Sequence, residues 1–372
     1  MTIVIAAGGT GGHLYPAVAL VREFLRRDPA TQALFVGTSR GLESKVLAHE
    51  RFELALISAQ PVMGKGLLGG MKGLCALPKS LWQCLKILRT KRTDLVIGVG
   101  GYTSPMVLLA AALTGVPRVI LEPNARPGMA NKAVGPFAQL VFLGFESAAA
   151  SYTRSKVRVT GIPIRKAFLD SVQQSQENRK TFHLLIFGGS QGAKAINTAV
   201  IEGLPELMTQ LPQLTVTHQT GESDQARVAE AYRRAGISAQ VTPFLYDMPD
   251  ELRQADLVVA RAGAMTVAEL TTCGKPAILI PLPSAIYNHQ MQNAKVMEAA
   301  GAAVVLPQSA LTGSTLARAV ATILGDPARV QAMGAASLAM RRTDAAEVIV
   351  RECYALMKGQ HDVDRSGREA GF

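Results

Sequence analysis

Acidic residues are scarce in the first half of this 372-residue chain: residues 1 to 163 hold 19 Lys and Arg against 8 Asp and Glu, whereas residues 164 to 372 hold 20 of each. The whole net charge of +11 therefore belongs to the first half. Cysteine is also scarce. Cys75, Cys84, Cys273 and Cys353 show neither C-x-x-C spacing nor a paired pattern, which excludes a disulfide scaffold, speaks against a structural zinc and fits a reducing compartment. No apolar run reaches the roughly 18 residues of a membrane-spanning helix, and the N-terminus lacks the basic segment, apolar core and cleavage site of a secretory leader. The expectation is a cytosolic protein that neither is secreted nor spans a membrane. Aromatic residues make up 5% of the chain, few for the stacking platforms of nucleic-acid binders, so no nucleic-acid partner is expected.

What is present is a repeated pattern. An apolar strand runs into a glycine-rich turn twice, as TIVIAAGGTGGH at 2 to 13 and FHLLIFGGSQGA at 182 to 193. Such strand, glycine and helix turns place bare backbone N–H groups and a helix N-terminus where an anion can sit. Short apolar strands alternate with helical stretches throughout. They lie near 2–6, 33–37, 53–58, 94–99, 117–122, 139–143 and 156–159, then near 182–187, 214–219, 239–243, 256–260, 276–280 and 302–306. The pattern implies an α/β chain of two doubly wound, parallel-sheet domains. Gly161 and Pro163 mark the hinge, giving domains 1–163 and 164–340. A last helix is expected at 344–358, followed by a disordered tail, 359–372.

Motif chemistry narrows the ligand. A dinucleotide fold needs G-x-G-x-x-G and an acidic residue ending the second strand. Here the loop reads G-G-T-G-G-H and the strand ends in Val36-Gly37-Thr38. Lys194 stands at the wrong offset from Gly188 for a Walker A loop. A third glycine cluster, G-V-G-G-Y at 98 to 102, follows the strand DLVIGVG, and RAGAMTVAEL at 261 to 270 follows DLVVA. In the latter, Gly263 frees the turn, Ala264 to Thr266 open a helix whose N–H groups can meet phosphate, and Glu269 can accept hydrogen bonds from both hydroxyls of a ribose.

The basic excess has a focus. Residues 62 to 92 hold seven basic and no acidic residues, mixed with leucines and Trp82. Such a segment suits an anionic bilayer surface, where each cation adds roughly 1 kcal/mol; the competing reading is a solvated basic helix whose Leu and Trp face the core. Pro78 suits a helix start, so 78–92 reads as a helix preceded by a glycine-rich loop.

GGTGGH, GVGGY, EPNARPGMANK (122–132), FGGSQGAKAIN (187–197), RAGAMTVAEL and P-L-P…N-H-Q-x-x-N-A (281–294), in this order, resemble the MurG family over roughly residues 1 to 358. The resemblance implies a GT-B architecture: two Rossmann-like domains with an interdomain cleft, the C-terminal helix joining the N-terminal domain. It also implies an inverting enzyme without cofactor or metal. Such an enzyme moves N-acetylglucosamine from UDP-GlcNAc to the C4 hydroxyl of the muramyl sugar of lipid I, giving lipid II in peptidoglycan synthesis. The first domain would take the acceptor and the membrane, and the second UDP-GlcNAc. The location implied is peripheral, on the cytoplasmic face of the bacterial inner membrane, with cell-wall synthesis and division proteins as partners.

Carried over by position, the resemblance puts Ser190 on phosphate, Arg165 and Thr266 near the diphosphate, and Ala264 and Met265 as donors of helix N-terminal amides. Val267 and Ala268 continue that segment, Leu245 flanks the uracil and Glu269 holds the ribose. Thr10, Gly11, Gly12 and Asn124 close over the sugar. Gln290 fits a sugar contact, but His289 stands where the family shows another glutamine. Pro123, between Glu122 and Asn124, also departs from some members. Gly100, Gly101 and Tyr102 would bind acceptor, and His13 and Glu122 are the two candidates for the base. The D-x-D motif of metal-dependent relatives occurs only as Asp362-Val363-Asp364 in the tail, which reads as accidental. Three alternatives remain: another lipid-linked GT-B transferase, a UDP-GlcNAc 2-epimerase, and an inactive nucleotide-sugar-binding subunit at the membrane.

Overall fold

Ile3, Val4, Ile5 and Ala6 are all wholly buried, which a strand achieves only at the centre of a sheet covered on both faces. The computed structural model describes residues 1–8, 11–38, 43–59, 66–170, 181–189, 191–283 and 288–369. Within it the chain forms two compact units, Met1–Arg165 with Thr343–Phe372, and Lys166–Arg342.

The first unit carries β1 (Thr2–Ala7), β2 (Gln32–Gly37), β3 (Glu53–Leu56), β4 (Leu95–Gly100), β5 (Arg118–Glu122), β6 (Leu140–Leu143) and β7 (Val157–Val159). They make one parallel sheet in the order β3-β2-β1-β4-β5-β6-β7. Alternation along β1 divides the core. Ile3 and Ile5 pack with the helix Gly11–Arg27, through Leu14, Val18 and Val21, and with Ile349, Val350, Cys353 and Met357 of the C-terminal helix. Val4 and Ala6 pack with Cys84 and Leu88 of the helix Gly66–Thr90 and with Val107 and Leu108 of the helix Ser104–Thr114. Each buried Val, Leu, Ile or Met among these contributes about 1.5–3 kcal/mol, so both helical layers are held by the sheet. The C-terminal helix gains further contacts from the Phe24 and Tyr354 rings, 5.8 Å apart, and from Arg158 to Glu352 at 3.3 Å.

The second unit carries β8 (Phe182–Phe187), β9 (Leu214–Gln219), β10 (Ser238–Thr242), β11 (Leu257–Ala260), β12 (Ala277–Leu279) and β13 (Ala303–Val305). Its parallel order is β10-β9-β8-β11-β12-β13. The strand order reverses direction at β1/β4 in one unit and at β8/β11 in the other. Those are the switch points beyond whose carboxyl ends open α/β sheets take ligands.

Two expectations need correction. The helix at the basic segment begins at Gly66, not at 78, and runs to Thr90 with the exposed Pro78 inside it. A proline there removes a hydrogen bond, at about 3 kcal/mol or more, but Ser80, Cys84 and Leu88 on the opposite face are buried and carry the helix past it. The last helix does not end at 358 but spans Ala345–Glu369. Gly359 alone costs about 1 kcal/mol, and no proline follows to stop the helix.

Candidate functional site

In the first unit, the ends of β1 and β4 are locked together. Gly101, at φ +77°, lies so close to Gly8 that a Cβ on it would fall 2.1 Å from the Gly8 carbonyl oxygen, so no side chain fits. Gly8 N–H donates to the Gly100 carbonyl at 3.5 Å. The helix Gly11–Arg27 opens here and carries Gly12 and His13 in its first turn. His13 lies over the end of β4: a Cβ built on Gly100 would meet its Nε2 at 2.8 Å. His13 and Gly100 are therefore brought together, with Gly101 and Tyr102 following. The Tyr102 hydroxyl bonds the Thr38 hydroxyl at 2.8 Å, which pins the ring to the end of β2. Thr10 lies outside the described residues.

Glu122, at the end of β5, is 1% exposed and its two oxygens are fully engaged. Oε1 accepts from the Asn124 backbone N–H at 3.0 Å and from Asn124 Nδ2 at 3.1 Å. Oε2 accepts from Gly128 N–H and from Asn131 Nδ2, both at 3.0 Å. Burial pushes its carboxyl above the usual carboxylate range, while the four donors pull the other way. The carboxylate thus folds the 123–128 turn and aims Asn124.

Arg165 closes this unit, its guanidinium carbon 5.2 Å from the centroid of the Tyr15 ring. The sequence reading missed Tyr15 and also Glu43. The Glu43 side chain is buried against Gly8 and Gly37 at the ends of β1 and β2. Beside it the wholly buried Thr103 hydroxyl faces the same Gly8.

In the second unit, β8 runs into Gly188, and Gly192, at φ +73°, lies against β9's end, where a Cβ would sit 1.9 Å from the Thr220 carbonyl oxygen. The turn is closed by Gly192 N–H to Gly189 O at 2.8 Å and held by Gly188 N–H to Gln219 Oε1 at 3.2 Å. Ser190 lies outside the described residues. Behind the turn is a buried polar network: Asn197 Nδ2 donates to Thr220 O and Asp224 Oδ2, both at 2.9 Å, and His218 bonds Asn197 Oδ1 and the Tyr232 hydroxyl, both at 3.1 Å. Burial pulls the His218 imidazole down to about 3, so it is neutral at ordinary pH.

Beyond β11 the helix Ala264–Thr272 starts at Gly263. Val267 N–H donates to Gly263 O at 3.0 Å, so helix geometry leaves the Ala264, Met265 and Thr266 N–H groups without intrahelical acceptors. Val267 is buried and its N–H is spent; Ala268 accepts from the Thr271 hydroxyl at 3.1 Å. Glu269 follows half-buried on this helix. Arg261, also missed by sequence reading, is buried behind it. Its guanidinium donates to the carbonyls of Ile280 and Pro281 and to Gln308 Oε1 at 2.7 Å. Leu245 is buried between the exposed Phe244 and Tyr246, whose rings pair at 5.0 Å. Gln290 spends its Oε1 on the Leu282 N–H at 2.9 Å, keeping its NH₂ as a donor. His289, half-buried, opens the same helix, His289–Ala299.

On the helix Gly66–Thr90 the exposed side chains Lys79, Trp82, Lys86 and Arg89 recur at helical spacing. Lys86 lies 5.5 Å from the Trp82 ring. Leu81, Leu85, Ile87 and Leu88 pack against the core under the sheet, as the core-facing reading of this segment expects, while Trp82 is exposed. Residues 62–65 lie outside the described residues. No helix among the described residues is long and apolar enough to cross a membrane.

Comparison with known proteins adds sequence and fold relations. Residues 3–143 match the glycosyltransferase family 28 N-terminal domain, and residues 183–349 the family 28 C-terminal domain. A protein of Syntrophus aciditrophicus is 44% identical over 356 residues, covering 96% of this chain and 99% of its own length. One of Geobacter sulfurreducens is 43% identical over 358 residues, covering 95% and 98%. Both are named UDP-N-acetylglucosamine, N-acetylmuramyl-(pentapeptide) pyrophosphoryl-undecaprenol N-acetylglucosamine transferase. Among solved structures, Acinetobacter baumannii MurG matches with a TM-score of 0.77 at 29% identity, over 95% of this chain and all of its own. The UDP-GlcNAc 2-epimerase of Neisseria meningitidis shares the fold at a TM-score of 0.67 and 14% identity, over 94% of this chain and 99% of its own.

Proposed function

The chain belongs to glycosyltransferase family 28 and, within it, to the MurG family, and from that premise we propose how its residues divide the reaction. As a hexosyltransferase of peptidoglycan synthesis it moves N-acetylglucosamine from UDP-GlcNAc to lipid I, giving lipid II and UDP. In our reading the muramyl C4 hydroxyl attacks the anomeric carbon in one inverting displacement. That step needs a base, a fixed angle of attack and stabilisation of the departing diphosphate.

His13 takes the hydroxyl proton, and its placement over Gly100 at the end of the first sheet carries this assignment. Glu122 is a poorer base, because both oxygens already accept two hydrogen bonds each; it positions Asn124 toward the sugar instead. The leaving diphosphate is held without metal by the Ala264, Met265 and Thr266 amides, by Ser190 and by Arg165. Glu269 takes the ribose, Leu245 flanks the uracil, and the Gln290 NH₂ is aimed at the sugar. Thr10, Gly11 and Gly12 close over the sugar, and Gly100, Gly101 and Tyr102 meet the acceptor. Lys79, Trp82, Lys86 and Arg89 rest on the anionic inner face of the plasma membrane, making the enzyme peripheral, where cell-wall synthesis and division proteins would meet it.

The test is turnover of labelled UDP-GlcNAc with a short-chain lipid I analogue in EDTA. Lipid II product is expected, and product only after metal is added overturns the metal-free reading. His13→Ala should lower kcat by about 10²-fold or more, as loss of a general base does, with UDP affinity unchanged. Undiminished kcat removes His13 from the chemistry.

A further inference from the structure

Three strands of the second unit end level with one another around Gln219. It is the last residue of β9, paired with Phe187 at the end of β8 on one side and with Thr242 at the end of β10 on the other. Beyond these partners the chain leaves the sheet twice: Gly188 enters the glycine turn, and Pro243 enters the loop that carries Leu245. The Gln219 side chain, 3% exposed, spans both exits. Its Oε1 accepts from the Gly188 N–H at 3.2 Å, and its Nε2 donates to the Pro243 carbonyl at 2.9 Å. One exit presents a donor and the other an acceptor, so a neutral amide of this length meets both, in one orientation. Each exit is also held locally. A Cβ on Gly188 would fall 2.3 Å from the Ala193 nitrogen. On the loop side the Thr220 N–H donates to the Thr242 carbonyl at 3.0 Å, and the Thr242 hydroxyl to the Phe244 carbonyl at 2.9 Å.

From this bridge we infer that Gln219 is a positioning residue that fixes the spacing between the diphosphate end and the uracil end of the donor site. The inference rests on the proposed roles of the glycine turn and of Leu245 in binding UDP. Uracil and diphosphate are joined through one ribose, so both ends of the site are filled together only when their spacing matches that of the ligand. The second contact is then intramolecular and gains from effective concentration. Releasing the bridge leaves each end able to bind its own part of the ligand but lets the two drift apart. A buried amide that served only the stability of the unit would leave both parts bound as before or weaken both together.

Titration calorimetry of the full-length protein with UDP and with uridine reads this spacing. Gln219→Asn keeps the amide but is one methylene shorter, so it reaches one exit at most. UDP binding should weaken about tenfold, a part of the 10²–10⁴-fold that joining two sites contributes, with uridine binding changed by less than about twofold. Gln219→Met keeps the length without the amide and should show the same selective loss; if it fails to fold, Gln219→Asn decides. KM for UDP-GlcNAc should rise in step with the loss of UDP affinity, while KM for the lipid I analogue stays at the parent value. Unaltered UDP binding in Gln219→Asn, or equal losses for UDP and uridine, overturn the inference. Leu245→Ala tests the reading beneath it and should weaken UDP and uridine alike. A loss there with none at Gln219 overturns the inference alone, and uridine binding unaltered by Leu245→Ala overturns the role of Leu245 as well.

Discussion

Two buried groups make opposite use of desolvation. Glu122 is kept as an acceptor of four donors, and Glu122→Gln turns one accepting atom into an NH₂ that faces N–H donors. At about 1–3 kcal/mol for each buried donor left unsatisfied, urea unfolding should show at least about 2 kcal/mol lost. Turnover should fall through a misplaced Asn124 while the acid limb of the kcat/KM pH profile stays in place. Disappearance of that limb would make Glu122 the base instead. His218 is held neutral: burial pulls it down to about 3, below the ordinary imidazole value of 6.5. Between these values the unfolded chain binds the extra proton, so this stabilisation is complete above about pH 6.5 and is lost as pH falls toward 3, by about 1.4 kcal/mol per pH unit over most of the window. His218→Gln should therefore be less stable than the parent at pH 8, and the gap should narrow by pH 5. A gap that widens on acidification refutes the assignment.

At the scale of elements, central strands such as Ile3–Ala6 and Val258–Ala260 are legible because their apolar runs are buried on both faces. Helix ends were less legible, because Pro78 and Gly359 are local signals that burial on the far side of a helix, or the absence of any stop residue, overrides. The basic helix shows the same limit: sequence mixes its Leu and Lys, and only the 80, 84, 88 spacing against the sheet shows that Leu88 faces inward while Lys79, Trp82 and Lys86 face out. Lys91 is committed to Glu53 at 2.8 Å, so it adds little field. Replacing Lys79, Lys86 and Arg89 by Gln should weaken binding to vesicles containing phosphatidylglycerol, by roughly 1 kcal/mol per cation, with UDP binding untouched. Trp82→Ala should weaken it further. Vesicle binding that survives all four substitutions would remove this face from the membrane contact.

Across the whole molecule, two glycine turns that look alike in sequence stand in different electrical surroundings. The first belongs to the half with all the net positive charge, yet the turn itself lies against the buried Glu43 carboxylate. That carboxylate disfavours a second anion there and leaves a neutral sugar or hydroxyl as the better guest. The second is held by Gln219 and Asn197, the Asp224 carboxylate behind it is paired with Arg227 at 3.1 Å, and at the end of the neighbouring strand β11 the helix Ala264–Thr272 offers three first-turn amides. Sequence could find both turns from their glycines but not Glu43, Asn131 or Arg261, since a lone charged residue carries no sign of which strand end it will be buried under. Hydrogen exchange tests the asymmetry. Saturating UDP should slow exchange in peptides spanning 184–193, 217–225 and 260–270, with free-energy increments of about 2.7 kcal/mol at 100 times Kd wherever exchange requires global opening of that unit. Peptides spanning 2–8 and 95–104 should be unaffected, responding only when the lipid I analogue is added. UDP protection centred on 2–8 and 95–104 would exchange the roles of the two turns and overturn the assignment of donor and acceptor to the two halves.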